Sequence, residues 1–292
     1  MSIQAWPNRF GPGLCLYTEH YEILTTLVDP VFLERLPEFV EAAYCAYNQH
    51  LPIPIIPGSR STIYLFENRS QWEDFTHSFA GRQASLYVKI QEGAYCHQGS
   101  CVAYDIGLQR TLAAIGHEGW HQFTSRHFKY RLPSWLDEGI AMQFESPRRI
   151  QGRLEFFPYE NHYRLGSLTR MLRQRDQLSL PTLLSISPGE VMASDRAESV
   201  MAFYSQSYAL VRFLQEAGQQ KYLRHYQALV YDGLRGKWPL SKKNRRIAED
   251  RNQARTIKWN CRVGKKLFTH YICSDPEGIE PEFIDFCRQI AQ

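Results

Sequence analysis

The hydrophobic and polar positions of the first hundred residues switch between strand and helix patterns. Short runs rich in β-branched and aromatic residues predict strands at residues 13–18, 21–28, 61–66, 85–90 and 101–104. Apolar residues recur at helical spacing over residues 30–50 and, more briefly, over 69–79. This part of the chain is therefore predicted to form a small mixed sheet accompanied by helices.

After Asp105 the pattern becomes helical for most of the remaining chain. One apolar face runs from Leu108 to about Arg126, and a second helix is predicted to begin at Ser134, where Ser134 and Asp137 form an S-x-x-D capping box. Further helices are predicted at residues 164–174, 198–217, 221–231 and 281–290. The predicted fold class is α+β, with a small N-terminal sheet layer followed by a helical half.

These patterns divide the chain into three predicted segments. Residues 1–105 form an N-terminal α/β sub-domain, 106–232 a helical sub-domain, and 233–292 a C-terminal segment with a closing helix. The chain has 292 residues, of which 43% are hydrophobic and 22% charged, and this composition excludes collagen-like and largely disordered proteins.

Two features of the sequence bear on its compartment. No run approaches the ~18 apolar residues that a membrane-spanning helix needs. The first residues lack a basic flank followed by an apolar run, so no signal peptide is expected as written. The default expectation is a cytoplasmic protein, with secretion as the alternative if residues precede Met1.

Seven cysteines are too few for a disulfide scaffold. Cys96 and Cys101 bracket a short loop, and Cys261 and Cys273 a longer one, so either pair could be oxidised outside the cytosol. Buried or incidental thiols are the favoured interpretation, because free cysteine is among the most buried residue types.

The net charge of +4 conceals a basic run between residues 235 and 266. This run contains twelve Lys and Arg against Glu249 and Asp250, a local charge of +10. It is interpreted as a solvated surface; nucleic acid or an anionic surface is the alternative partner. Trp238 and Trp259 could stack on bases or anchor the run to the core.

One pentapeptide, His117-Glu118-Gly119-Trp120-His121, has the pattern H-E-x-x-H inside a predicted helix. A spacing of four puts both imidazoles on one helix face, so both could bind one Zn²⁺. Glu118 is rotated one position away, where a general base could reach the water held by the zinc without itself binding the metal.

Two residues compete to be the third ligand. With His127 the pattern reads H-E-x-x-H-x-x-T-x-x-H, which imitates the metzincin motif, but Thr124 stands where that motif needs glycine for a sharp turn. Glu138 lies near the start of the next predicted helix, which could fold back and present its carboxylate to the histidines. A His₂Glu set leaves the fourth position open, so Glu138 is favoured.

Three stretches together resemble the gluzincin metallopeptidases, specifically a bacterial branch of the peptidase MA-like group. They are the H-E-x-x-H pentapeptide, the stretch P-x-W-L-x-E-G-x-A at residues 133–141, and Y-x-x-S-Y-A-L-V-x-F-L at residues 204–214. The resemblance implies a zincin-like fold, one Zn²⁺ per chain held by the ligands His117, His121 and Glu138, and Glu118 as general base.

The same resemblance implies a tyrosine that donates a hydrogen bond to the tetrahedral oxyanion. Tyr204 is the first candidate and Tyr208 the second, although either could be a core aromatic. The implied activity is zinc-dependent hydrolysis of a peptide or protein substrate. A non-catalytic, zinc-stabilised binding module that uses the basic run is the alternative.

The sequence departs from better-known relatives at two points. There is no G-x-M-E-N segment upstream, so aminopeptidase activity is not implied, and residues 91–95 are expected to flank the cleft, where a substrate could add as an extra strand. Met142 replaces the aspartate that follows the third ligand by four residues in thermolysin-like enzymes. The sequence therefore assigns no partner that orients the histidines.

Overall fold

Six short strands form one mixed sheet in the N-terminal part of the chain. A computed structural model describes residues 2–56, 58–90, 93–193, 196–251 and 256–292. The strands are β1 (Ser2–Ala5), β2 (Leu14–Tyr17), β3 (Tyr21–Thr25), β4 (Ser61–Phe66), β5 (Ala94–His97) and β6 (Ser100–Tyr104). Their order is β1-β2-β3-β4-β6-β5, with β3, β4 and β6 parallel and the other pairings antiparallel.

Helical crossovers explain why the centre of this sheet is parallel. Helix α1 (Pro30–His50) connects β3 to β4, and helices α2 (Arg69–Phe79) and α3 (Ala84–Tyr87) lie between β4 and the β5–β6 hairpin. In β3 and β4 alternate side chains are fully buried, as expected for strands with a packed face. The α+β prediction, with a mixed sheet ahead of a helical half, is confirmed.

The strand predicted at residues 85–90 is wrong, because α3 occupies its first part. Arg69 supplies the reason: its guanidinium donates hydrogen bonds to the carbonyls of Val88 (2.8 Å) and Ile90 (3.0 Å), so these backbone groups need no strand partner. Tyr87 stacks on Tyr95 with ring centroids 4.1 Å apart. The sequence predicted neither β1 nor β5 of this sheet. Gln91 and Glu92 lie outside the described residues.

Helices make up most of the chain after residue 107. They are α4 (Leu108–His127), α5 (Ser134–Ala141), α6 (His162–Gln174), α7 (Leu180–Leu183), α8 (Pro188–Ala193), α9 (Ala197–Gln220), α10 (Leu223–Arg235), α11 (Lys242–Glu249), α12 (Thr256–Trp259), α13 (Lys265–Tyr271) and α14 (Pro276–Ile290). A two-stranded hairpin, β7 (Pro147–Ile150) and β8 (Arg153–Phe156), follows α5. None of the described helices combines the length and apolarity needed to cross a membrane.

The chain divides into two compact units. The sheet unit comprises residues 1–50, 54–126 and 144–157, and the helical unit comprises 51–53, 127–143 and 158–292. These units cut across the three predicted segments, because most of α4 belongs with the sheet.

The basic run from 235 to 266 is anchored in the helical unit by its two tryptophans. Both indoles are buried, and they stack on each other with ring centroids 6.1 Å apart. The Trp238 Nε1 atom donates to the Leu229 carbonyl at 2.8 Å. Trp238 and Trp259 therefore pack in the core instead of being available to stack on bases. Residues 252–255 of the run lie outside the described residues.

Candidate metal centre

Helix α4 brings the two histidines of the H-E-x-x-H pentapeptide together. The Nε2 atoms of His117 and His121 are 3.2 Å apart, and their ring centroids are separated by 5.0 Å. The prediction that both imidazoles lie on one helix face is confirmed. Two ring nitrogens at this distance converge on a common point beside the helix.

Two glycines let α4 pack closely against its neighbours in the sheet unit. A Cβ atom on Gly116 would come within 2.3 Å of the Phe144 carbonyl oxygen, and one on Gly119 within 2.4 Å of the Tyr47 hydroxyl. The same hydroxyl donates to the Gly116 carbonyl at 2.6 Å. These glycines weaken the helix by about 1 kcal/mol each relative to alanine, so close packing explains their presence.

Trp120 of α4 lies in an aromatic cluster. Its indole is fully buried against Tyr47, Phe123 and Phe144, with ring centroids 5.6–6.0 Å apart. This face of α4 is thus fixed in a packed core. The rotation of the helix, and with it the direction of both imidazoles, is set by this packing.

The Glu145 carboxylate holds the other nitrogen of His117. The Nδ1 atom of His117 lies 2.8 Å from Glu145 Oε1, and both side chains are about nine-tenths buried. Because a carboxylate accepts, the imidazole proton lies on Nδ1, which leaves the Nε2 lone pair directed toward His121. A carboxylate on the second nitrogen is the arrangement that fixes a metal-binding histidine.

Sequence reasoning missed Glu145, and no local signal points to it. It lies seven residues after Glu138, beyond a single 3₁₀ turn at Met142–Phe144, and not at the position four residues on that thermolysin-like enzymes use. Only the path of the chain after α5 brings its carboxylate to His117.

Gln122 ties the same stretch of α4 to the sheet. Its Nε2 atom donates to two backbone carbonyls. One belongs to Thr62 near the start of β4 (2.7 Å), and the other to Gly99 in the β5–β6 turn (2.8 Å). The residue next to His121 is thereby held by two backbone acceptors. Sequence reasoning did not single out this buried amide either.

Glu118, the predicted general base, is half-buried on α4. Burial raises the pKa of the Cys101 thiol well above its ordinary value, and the nearby Glu118 carboxylate adds to this rise. Burial likewise raises the pKa of the Tyr47 hydroxyl, with Glu118 among the contributing charges. The carboxylate therefore lies in a partly enclosed environment close to both groups.

Glu138 is carried by α5, whose position depends on a further close approach. A Cβ atom on Gly139 would lie 2.4 Å from the Ser207 carbonyl oxygen and 2.5 Å from Val211 Cγ2, so α5 contacts α9 directly at this glycine. The ligand atoms of His117, His121 and Glu138 all lie within 4.8 Å of one another. These are the three residues predicted as ligands.

His127 is the last residue of α4, which continues helically through Thr124. Six residues of helix correspond to about 9 Å along the axis, so on this continuous helix His127 lies too far from His121 to share an ion with it. The glycine turn of the metzincin motif is absent, as the β-branched Thr124 predicts. Among the described residues, the groups able to hold a metal do not include His127.

The donor set fits Zn²⁺ better than a hard cation. Ligands at about 2.0–2.1 Å around a tetrahedral ion are separated by about 3.3 Å, and the two Nε2 atoms are 3.2 Å apart. Imidazole nitrogens suit zinc and related transition metals, whereas Mg²⁺ and Ca²⁺ take oxygen ligands.

The two predicted oxyanion tyrosines lie one turn apart on α9 and have different surroundings. Tyr208 is fully buried, and its hydroxyl donates to the Pro158 carbonyl and accepts from Arg212 Nη1 at 3.2 Å. Tyr204 is half-buried, with the Arg164 guanidinium 5.6 Å from its ring centroid. The Tyr208 hydroxyl is thus engaged in the core of the helical unit.

A second histidine lies among carboxylates in the sheet unit. Glu19, His20 and Glu41 also have ligand atoms within 4.8 Å of one another. His20 stacks on Tyr44 with ring centroids 3.8 Å apart, and its Nδ1 atom lies 2.6 Å from Glu41 Oε2. The His20 backbone N–H also donates to Glu41 Oε1 at 2.8 Å.

A known protein family matches part of the chain. A family model described as a protein of unknown function (DUF1570) matches residues 111–231, which include the H-E-x-x-H pentapeptide, Glu138 and both tyrosines of α9. No curated protein matches the chain. The similarity therefore coincides with the candidate centre and assigns no chemistry to it.

Proposed function

We propose that this protein is a zinc-dependent peptidase of the gluzincin type. The observation that carries the proposal is the pair of Nε2 atoms 3.2 Å apart on α4, with a carboxylate on His117 Nδ1. Glu138 supplies an oxygen ligand to the same group. The spacing H-E-x-x-H supports the assignment, because it puts Glu118 next to both nitrogen ligands without making it one.

Each residue of the proposed centre has a distinct role. His117, His121 and Glu138 would hold the ion. When bound, zinc supplies the Lewis acidity that makes a water nucleophilic near neutral pH and polarises the scissile carbonyl. Glu118 takes a proton from the attacking water and delivers it to the departing amine nitrogen. Glu145 keeps the His117 proton on Nδ1.

Tyr204 is the better of the two proposed oxyanion donors. Tyr208 already donates to Pro158 and is bound by Arg212, so its hydroxyl cannot be redirected without losing buried hydrogen bonds. We expect Tyr204→Phe to lower kcat by about 10²–10³, the loss typical of one oxyanion donor. Tyr208→Phe, its control, should lower the denaturation midpoint and leave kcat of the folded protein nearly unchanged.

The peptide substrate is proposed to align along β5. This strand is an edge of the sheet, so one side of its backbone has no strand neighbour among the described residues. An extended peptide can add to such an edge through main-chain hydrogen bonds. The binding is then largely independent of side chains, and a broad library of unstructured peptides is the suitable first assay.

The decisive experiment separates metal binding from hydrolysis. Protein purified without chelator should contain about one zinc per chain, and Glu118→Gln should retain that zinc while losing at least about 10²-fold in peptide hydrolysis. Hydrolysis that survives Glu118→Gln, or that is unaffected by removing the metal, would contradict the proposed mechanism.

The third ligand is tested with a matched pair of variants. Glu138→Ala should sharply reduce zinc content, whereas His127→Ala should leave it unchanged. The reverse result would move the third ligand to His127. In the binding-module alternative, contact with nucleic acid or an anionic surface would rest on the Lys and Arg side chains of the basic run, because Trp238 and Trp259 are buried.

A further inference from the structure

The β5–β6 hairpin puts two cysteines directly opposite each other. In the register of these antiparallel strands, Cys96 faces Cys101 and His97 faces Ser100. The turn between them consists of Gln98 and Gly99, which both have positive φ (51° and 75°). Two such residues are typical of a type I′ turn, whose twist matches that of the flanking strands.

The turn type determines which kind of pair the cysteines form. In a two-residue hairpin the residues flanking the turn, here His97 and Ser100, exchange backbone hydrogen bonds. The next pair along the ladder, Cys96 with Cys101, is then a non-hydrogen-bonded pair. Its Cα atoms are about 4.5 Å apart and its side chains lie on the same face, within the range that a disulfide can bridge.

The two thiols differ in access. Cys101 is fully buried in β6, between β4 and β5, whereas Cys96 lies on the edge strand and is partly exposed. Burial also raises the pKa of the Cys101 thiol well above its ordinary value. An external reagent therefore reaches Cys96 first, and Cys101 acts second. Gln122, which donates to the Gly99 carbonyl at 2.8 Å, holds the turn in place.

We propose that Cys96 and Cys101 form a thiol–disulfide pair that exchanges with low-molecular-weight disulfides. The Cys96 thiolate attacks a sulfur of oxidised glutathione, which forms a mixed disulfide and releases one glutathione thiolate. The Cys101 thiolate then attacks the Cys96 sulfur and releases the second. The two cysteines are oxidised, one disulfide is reduced to two thiols, and the two protons pass to the released thiolates.

The bond closes only a short loop and should therefore stabilise the fold less than a disulfide that closes a long one. A cross-link of such moderate stability remains reversible, which suits a redox-responsive site better than a structural one. Neither cysteine belongs to the proposed metal centre, so this exchange does not depend on the proposed function.

The test compares the native protein with the same chain unfolded. Each is equilibrated with mixtures of oxidised and reduced glutathione, then alkylated and digested with trypsin. Both cysteines lie in one tryptic peptide, residues 90–110, so the internal disulfide appears as that peptide two hydrogens lighter and resistant to alkylation. We expect the equilibrium constant for the internal disulfide to be at least about tenfold higher in native than in urea-unfolded protein, because the hairpin holds the thiols together.

Two variants show the order of the steps. Cys101→Ser should accumulate glutathione on Cys96 without closure, and Cys96→Ser should form no adduct at Cys101. Cys45, an exposed thiol on α1, is the reference for simple mixed-disulfide formation. If Cys101→Ser fails to fold, the proposal is tested by the wild-type protein alone, through the ratio of the internal-disulfide equilibrium constants in native and unfolded protein. A ratio of one or less, or a glutathione adduct that persists on Cys96 in the wild type, would overturn the proposal.

Discussion

In the described part of the sheet unit, two histidine–carboxylate pairs have nearly the same geometry and different surroundings. His117 Nδ1 lies 2.8 Å from Glu145, and His20 Nδ1 lies 2.6 Å from Glu41. On the other side of the ring, His117 Nε2 faces a second imidazole at 3.2 Å, whereas His20 Nε2 faces the exposed Glu19 carboxylate at 3.9 Å.

The two histidine–carboxylate pairs also differ in their other contacts. Glu41 also accepts from the His20 backbone N–H, and the His20 ring stacks on Tyr44, so this pair joins the β2–β3 turn to α1. A histidine–carboxylate pair is therefore not by itself a metal site. What distinguishes the pair on α4 is the second imidazole nitrogen 3.2 Å away, which gives the convergent geometry that a transition metal requires.

The largest expected difference between the two pairs is in zinc affinity. His117→Ala should weaken zinc binding by roughly a thousandfold or more, because it removes one of three protein ligands from a binding free energy on the order of 10 kcal/mol. His20→Ala should leave one zinc per chain with unchanged affinity. Competition with a chromophoric chelator measures both. Equal losses in the two variants would mean that the comparison is wrong.

The two carboxylates should differ less, though in the same direction. Glu145→Ala is expected to weaken zinc binding by about 10–100-fold, the usual loss for a group that orients a metal-binding histidine. Glu145→Gln should recover part of this loss, since its amide oxygen still accepts from Nδ1. Glu41→Gln is the matched control and should leave zinc affinity unchanged. An effect of Glu41→Gln as large as that of Glu145→Ala would assign zinc to the His20 group.

For the free energy of unfolding, the order of the two carboxylates should be reversed: the loss of Glu41 should cost more than the loss of Glu145. In zinc-free protein, Glu41→Ala leaves two hydrogen bonds from His20 without an acceptor and should lower the free energy of unfolding by about 1–3 kcal/mol. Glu145→Ala removes the hydrogen bond with His117 Nδ1, and we expect a smaller effect because Glu41 also accepts from a backbone N–H. Urea denaturation monitored by tryptophan fluorescence gives both values. A larger loss for Glu145→Ala would show that the α4 pair is structural.

The smallest expected effect is the pH dependence of the Glu41 pair. Burial raises the pKa of Glu41, but hydrogen bonds from His20 and Thr18 outweigh it, so the pKa lies below the ordinary value of 4.5. A carboxyl with a lower pKa in the folded state stabilises the protein above its unfolded pKa, and this contribution is lost as the pH falls through the folded value. Glu41→Gln should therefore flatten the acid side of the stability curve below about pH 4.5. If Glu41→Gln leaves the acid side of the stability curve unchanged, Glu41 does not stabilise the folded protein in this way.

Local patterns were sufficient where the deciding interactions are local. The bounds predicted for α1, β4 and α2 coincide with the structure, and Gly218 adopts positive φ (54°) where α9 was expected to end. The spacing of His117 and His121 likewise determines that both rings lie on one face of α4, because 3.6 residues make a turn. These features follow from periodicity and from glycine geometry.

Other features depend on partners distant in the sequence. Residues 84–87 are helical, although their composition favoured a strand, because Arg69 binds the carbonyls that follow them. Trp238 and Trp259 could have stacked on bases or packed inside, and only their mutual burial decides it. Such outcomes cannot be read from a local window, since the competing conformations differ by contacts that it does not contain.

The sequence by itself determined the α+β class, the main helices and the pairing of the two imidazoles on one face of α4. Only the tertiary structure decided which carboxylate orients His117 and which cysteine faces Cys101. Helix spacing and β-branching act over a few residues, so their effects can be predicted from a short stretch of sequence. Glu145 is brought to His117 by the path of the chain after α5, and Cys101 is brought to Cys96 by the register of a hairpin. The final placement of these groups depends on packing and pairing that form only when the whole chain has folded.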